Sequence, residues 1–290
     1  MYVLIVNPTS GNGRGQRAGT RVERLLSRMG FPYQVQITQS PGHATDIARS
    51  MLQEKELQAV IAIGGDGTVH EVGNALAGTK IPMGYVPAGS GNDFALAHGI
   101  PTRPEAAVNR ILKGEVRRID TGRIGGRTFV GFAGMGFDGQ VADRVNRSAF
   151  HRRLGRLAYP LGFLQTLWNY RPTRLQLTVD GKRHDMDGVW IVAVCNQPNY
   201  GGGMKMCPTA SCHDGQLDLC CVHDLGHRQL IRLFPRVYKG RHIDHPSIQL
   251  HRGSRITLES DPPLLVHADG EVIGKTPLTI SVFPQSLSIL

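Results

Sequence analysis

Residues 61–72 read IAIGGDGTVHEV, and this stretch decides the fold. The run that enters it, LQAVIAIG, has the unbroken apolar character of a buried strand. The run that leaves it, TVHEVGNALAG, has helical spacing and stops at Gly78. Between them Gly64, Gly65 and Gly67 surround Asp66, and Thr68 closes the corner. Asp-Gly is a strong hairpin signal, but a hairpin joins two strands, and here a strand meets a helix. At the carboxyl end of a parallel strand such a corner faces the ligand crevice. Glycines let the backbone approach a phosphate without a Cβ in the way. The amides of the next helix bind phosphate oxygens, and Thr68 adds a hydroxyl at its start. A carboxylate among phosphates is repulsive unless a cation lies between them. The reading is therefore glycines for phosphate approach and Asp66 for Mg²⁺.

Outward from this corner the first 118 residues alternate. YVLIVNP, YQVQIT, LQAVIAIG and IPMGYVPAG read as strands. AGTRVERLLSRMG, HATDIARSMLQE, TVHEVGNALAG and RPEAAVNRILKG read as helices. The alternation predicts an α/β domain over 1–118 with a parallel sheet covered on both faces. From residue 119 the rhythm changes to strands joined by short Gly or Asp turns, such as RLQLTVDGKRHDMDGVWIVAVCN and LLVHADGEVIG. That spacing predicts a β-rich, antiparallel, sandwich-like domain over 119–290, with one helical insertion near 139–170. A site in the cleft between the two domains is the expectation.

Composition sets the class. The 290 residues are 40% hydrophobic and 19% charged, which reads as globular. Thirty-three Lys and Arg against 23 acids give a formal charge of +10, which favours polyanions: nucleic acid, nucleotides or anionic membrane. The basic residues are spread along the chain, and no RNP-type aromatic motif or zinc-finger spacing appears, so no nucleic-acid partner is expected. MYVLIVNP does not resemble a signal peptide, and no run nears the ~18 apolar residues of a membrane span. The expectation is a cytoplasmic protein, soluble or peripheral at the inner membrane surface. The cysteines are Cys195, Cys207, Cys212, Cys220 and Cys221, an odd number that suits free thiols. Cys207, Cys212 and His213 match no common zinc spacing, and Cys220 and Cys221 would point to opposite faces of a strand.

Two further loops sit at corners equivalent to the first. NPTSGNGRG (7–15) follows the first strand, and PAGSGNDFA (87–95) follows the fourth. Each offers glycines, hydroxyls and an amide side chain. Taken together, GGDGTVHEV, NPTSG and PAGSGNDFA resemble the diacylglycerol kinase catalytic domain family, which includes bacterial soluble lipid kinases and sphingosine kinases. GGDGT alone is shared with NAD kinases and, more loosely, with phosphofructokinases; GSGNDFA points to the lipid kinase branch. The resemblance covers nearly the whole chain, because YGGGMKMCPTASCHDGQLDL (200–219) and HADGE (267–271) are similar to the family's later motifs.

The resemblance implies a nucleotide-binding α/β domain and a β-rich second domain whose last strand, about 277–290, returns to the first. It implies ATP as phosphoryl donor, Mg²⁺ as cofactor and a membrane lipid as acceptor. Asn7, Pro8, Thr9, Ser10, Gly11, Thr38 and Ser90 are then expected at the nucleotide. Gly64, Gly65, Asp66, Gly67, Thr68, Val69, His70 and Glu71 are expected around its phosphates, with Asp66 central. His70 stands where the family often has Asn. A structural Mg²⁺ is implied at Asp214 with the backbone carbonyls of Ser211 and Gln216. Glu271 is implied as the general base. Phosphoryl transfer is mostly positioning and charge neutralisation with one base near the acceptor, so the residue types suit it independently. Asp269 and Glu271 flank Gly270 at a turn, so at least one carboxylate of the pair is available.

Two motifs are decoys. GMGFDG (134–139) fits GxGxxG, but from Arg144 to Val179 there is no acid to take a ribose, so a tight turn is expected instead. GEVIGKT (270–276) is one residue short of a P-loop and runs into Pro277. Residues 143–170 interleave Arg144, Arg147, Arg152, Arg153 and Arg156 with apolar side chains, the pattern of a helix that rests on an anionic bilayer. The function this sequence favours is an ATP- and Mg²⁺-dependent kinase of diacylglycerol or a related lipid, compatible with a homodimer. The alternatives are an NAD kinase-like enzyme and a catalytically silent lipid- or nucleotide-binding protein.

Overall fold

The computed structural model describes residues 1–147 and 158–290. The chain divides into two compact units, Met1–Thr121 with Pro284–Leu290, and Gly122–Phe283.

In the first unit, β1 (Tyr2–Val6), β2 (Tyr33–Ile37), β3 (Ala59–Gly64) and β4 (Met83–Pro87) run parallel in the order β2-β1-β3-β4. β3 is buried at every residue and β1 at all but its first, as strands covered on both faces must be. The helices are α1 (Ser10–Arg28), α2 (His43–Met51), α3 (Asp66–Leu76), α4 (Asp93–Ala97) and α5 (Pro104–Leu112). α1 turns Ala18, Val22 and Leu26, one helical turn apart, into the core it shares with α5 and the sheet. α5 opens on Pro104, whose missing N–H costs nothing in the first turn. The end of β15 (Leu278–Ile289) joins this sheet beside β4, in parallel, through Ile289 and Met83. Strand order reverses at β1, which has β2 on one side and β3 on the other. The loops after β1 and β3 therefore meet at a topological switch point, where α/β sheets bind ligands.

β5 (Arg117–Ile124) leads into the second unit and turns back into β6 (Arg127–Phe129) through Gly125 and Gly126, both at positive φ. The second unit is antiparallel. It contains β7 (Phe132–Gly136), β8 (Thr173–Val179), β9 (Lys182–Cys195), β10 (Leu217–His223), β11 (Ile248–Gly253), β12 (Arg255–Asp261), β13 (Leu265–Ala268) and β14 (Glu271–Lys275). The order is β14-β13-β7-β9-β8-β12-β15, with β10 also on β9 and β11 on β10. Three helices belong to it among the described residues: α6 (Phe137–Arg147), α7 (Ala158–Leu167) and α8 (His227–Val237). Two apolar cores result. One holds Phe137, Phe163, Trp190, Cys220 and Leu233; the other holds Val192, Leu219, Cys221, Val266 and Ile280. Cys220 and Cys221 thus face opposite sides of β10, and all five cysteines are free and buried. The helical insertion expected near 139–170 is α6 and α7, while the basic residues between them, 148–157, lie outside the described residues. GMGFDG does run from strand into helix, from β7 into α6.

Candidate active site

Three loops of the first unit are knitted together by short bonds. After β1 the Asn7 side chain accepts the Thr9 amide and hydroxyl at 3.2 and 3.0 Å and donates to Thr68 Oγ1 at 3.3 Å. Gly11, Asn12 and Gly13 then lie in the left-handed region, a run that glycine makes affordable. Arg14 ties this loop to the third by donating to the Gly89 carbonyl at 2.6 Å. After β4 the Asn92 side chain closes a turn on Gly89, accepting its N–H at 2.8 Å, and takes the Tyr85 hydroxyl at 3.1 Å. Gly65 and Gly89 meet backbone to backbone: a Cβ on Gly89 would collide with the Gly65 Cα. Gly65 of GGDGT and Gly89 of GSGNDFA are thus required by each other.

Asp66 opens α3, with its Oδ1 accepting the Phe94 amide at 3.0 Å. Burial, and then the negative charge of Asp93, push its carboxyl up to about 6, against the backbone N–H groups of Phe94, Asp93 and Asn92 that favour the anion. Asp93 is itself buried. Two carboxylates placed this close, on loops that offer amides, form a hard-oxygen set whose repulsion a divalent cation relieves. Sequence reasoning placed Asp66 here and missed Asp93, although it stands in the quoted GSGNDFA. Among the described residues no group of three or more His, Cys, Asp or Glu converges as a complete metal site.

Beside these loops is a pocket of about 260 Å³. Asn7, Thr9, Ser10, Thr38, Gly65, Gly67, Thr68 and Glu71, all named from the sequence, line it together with Gln39, Ser40, Pro41 and Ala44. Pro8, Gly11, Gly64, Asp66, Val69, His70 and Ser90 are not in its wall. His70 is buried on the inner side of α3. Glu71 fixes the wall by accepting the Ala44 amide at the start of α2 at 2.9 Å.

In the second unit the two carboxylates of ADGE have different tasks. Asp269 has positive φ and accepts three consecutive backbone amides, those of Val130, Gly131 and Phe132, at 2.7, 2.9 and 2.8 Å. That carboxylate is consumed in holding the turn to the start of β7. Glu271, two residues on, opens β14 and is half-exposed. Asp214 accepts the Gln216 amide at 3.0 Å on one oxygen and pairs with Arg252 on the other. The Ser211 hydroxyl accepts the His213 amide at 3.4 Å. A cation at Asp214 would have to displace the Arg252 guanidinium.

The same unit has a small apolar cavity of about 40 Å³ with Phe163, Leu230, Leu233 and Phe234 in its wall. Asp138, Tyr200 and the buried His242 are the polar side chains in its wall. Asp138 accepts from Tyr200 at 3.2 Å and pairs with the fully buried His267 at 3.0 Å. Gly134 leaves room for that pair, since a Cβ would collide with both side chains. The glycines of the GxGxxG match are accounted for by this packing and by Gly139, where a Cβ would strike the Leu265 carbonyl.

An α/β unit with Gly-rich loops at its switch point, followed by an antiparallel β unit, is the class that fold and site define. Residues 1–124 match the diacylglycerol kinase catalytic domain, and residues 131–290 match the YegS C-terminal NAD kinase beta sandwich-like domain. The chain is similar to a diacylglycerol kinase of Mycobacterium tuberculosis, 34% identical over 99% of this chain and 93% of the relative. It is 31% identical to a diacylglycerol kinase of Bacillus subtilis over 94% and 90% of the two chains. The crystal structure of a Bacillus anthracis relative, described as a candidate diacylglycerol kinase, superposes with a TM-score of 0.83 at 26% identity, covering 99% of this chain and 94% of that one. The chain belongs to the diacylglycerol kinase family.

Proposed function

We propose that the protein transfers the γ-phosphoryl group of ATP to the hydroxyl of diacylglycerol or a closely related membrane lipid. The observation that carries this is the joined loop set at the switch point, where Asn7, Thr9, Ser10, Gly65, Gly67 and Thr68 line one polar pocket. Its amides and hydroxyls bind phosphate oxygens, and the first turn of α3 adds its dipole. Asp66 and Asp93 would hold a Mg²⁺, which supplies charge neutralisation when bound. Glu271 takes the proton of the acceptor hydroxyl as its oxygen bonds to the γ-phosphorus and the bond to the ADP oxygen breaks. Asp269 keeps that turn in place through its three amide bonds. Asp214, with the Ser211 and Gln216 carbonyls, is a second cation site in this reading, in competition with Arg252. The apolar lining of the cavity in the second unit suits a lipid acceptor better than a soluble one. The reaction belongs on the cytoplasmic side of a membrane, where ATP is available.

The test is transfer from γ-labelled ATP with Mg²⁺ to diacylglycerol, monoacylglycerol, a sphingoid base and phosphatidylglycerol in mixed micelles, with NAD as the soluble control. Label in diacylglycerol is expected. Label in NAD alone would assign the chain to the alternative suggested by the NAD kinase-like second domain.

A further inference from the structure

α7 and α8 pack on each other through Phe163 and Phe234, stacked with ring centroids 4.2 Å apart. Their ends meet where Trp168 stacks on His227 at 5.7 Å and 7°. The outward side of this pair is unusual in two ways. Among the described residues eleven large hydrophobic side chains are exposed, and five of them are here: Leu161, Leu164, Trp168, Ile231 and Tyr238. Trp168 is 68% exposed and Leu164 50%. Beside them Arg228, Arg232 and Arg236 recur every four residues along the exposed stripe of α8, followed by Lys239 and Arg241. No Asp or Glu occurs in 158–179 or in 225–243. Among the described residues no carboxylate lies within ion-pair distance of those three arginines.

We propose that this α7–α8 face docks on the surface of an anionic lipid bilayer, with Arg228, Arg232 and Arg236 at the headgroups and Trp168, Leu164 and Ile231 inserted at the acyl boundary. A solvated helix face has no use for exposed Leu, Ile and Trp, and an acidic protein or nucleic acid rewards the arginines but not the aliphatic side chains. A bilayer rewards both, because headgroups meet the cations and the interface takes indole and aliphatic groups. The inner side of the same two helices is the wall of the apolar cavity, so the surface and the cavity share Phe163 and Phe234 as their partition. The docking face includes α8, which the sequence pattern of 143–170 did not reach. It stands on these side chains whichever lipid is the acceptor.

The experiment is sedimentation of the full chain with vesicles of phosphatidylcholine, alone or enriched in phosphatidylglycerol, without nucleotide or acceptor. Intrinsic fluorescence is read in parallel with brominated acyl chains. The chain has two tryptophans, and Trp190 is buried, so quenching by the chains reports Trp168, with Trp168→Phe as the check. The expected result is salt-sensitive binding to the phosphatidylglycerol vesicles with Trp168 quenched. Each arginine charge near an anionic surface is worth roughly fivefold in partitioning, so Arg228→Gln with Arg232→Gln and Arg236→Gln should weaken binding on the order of a hundredfold. Transfer to a micelle-dispersed acceptor should be unchanged in that variant. Binding that ignores lipid charge, an unquenched Trp168, or a triple variant that binds like the wild type would overturn the proposal. A solution dimer that buries Trp168, seen by light scattering, would give the face to a second copy instead. Quenching on the unaltered protein keeps the test valid if the triple variant folds poorly. Loss of transfer with vesicle binding intact would fault the kinase reading alone.

Discussion

Replacing Asp66 by Asn should stabilise the protein and abolish its activity. The carboxyl of Asp66 is pushed from 3.8 to about 6 by burial and by Asp93, so at neutral pH the free protein carries an anion its fold disfavours. A shift of about two units corresponds to about 3 kcal/mol. Because the folded value is raised, the folded state binds the proton more tightly than the unfolded chain. Stability therefore falls as pH rises from about 4 to about 6 and is level above that. Asn keeps an oxygen for the Phe94 amide and carries no charge. Thermal unfolding in EDTA without nucleotide should show Asp66→Asn and wild type nearly equal at pH 4. By pH 8 the variant should lead by on the order of 6–12 °C, from about 2–4 °C per kcal/mol in a domain of this size. Phosphate transfer by the variant should be undetectable, since the charge that penalises folding is the one the cation requires. A variant less stable than wild type at pH 8, or a gap that does not change with pH, would refute the reasoning.

The two carboxylates of ADGE should separate cleanly. Glu271→Gln is expected to lower kcat by about 10²–10⁴ with the melting temperature unchanged and KM for ATP preserved. Asp269→Asn should lose about 2–4 kcal/mol of stability by denaturant titration, because three amides bond to its charge. Gly89→Ala should abolish ATP binding by calorimetry, since its Cβ collides with Gly65 and parts the loops. Mg²⁺ alone should raise the melting temperature of the wild type and of Arg252→Gln by more than that of Asp214→Asn, which keeps only the Asp66–Asp93 pair; an equal rise in all three would remove the cation from Asp214.

The corner at 61–72 was legible because an unbroken apolar run, a glycine cluster and a helical period follow one another without interruption. The same local signals located the strands on either side. The sequence reading divides the chain at 118, whereas the compact units change at 121 and 122, inside β5, where Gly122 sits in a paired strand under the Phe129 ring and not in a turn. α8 was overlooked although Leu230, Leu233, Phe234 and Val237 keep helical spacing; three arginines and Pro235 diluted the pattern. What local patterns could not reveal depends on partners far along the chain. Asp93 meets Asp66 only because β3 and β4 are neighbours. The engagement of Asp269 depends on amides 137 to 139 residues away. The placement of Gln39 and Ser40 in the pocket wall depends likewise on where α2 starts beside α3.

The most direct test of the account is the stoichiometry of transfer with diacylglycerol as acceptor, measured on wild type and Glu271→Gln side by side. ADP released and phosphorylated lipid formed are counted together. The account predicts one phospholipid per ADP in the wild type, and both lost together in a variant that still binds ATP. ADP without phospholipid, or a Glu271→Gln protein as active as the wild type, would contradict it.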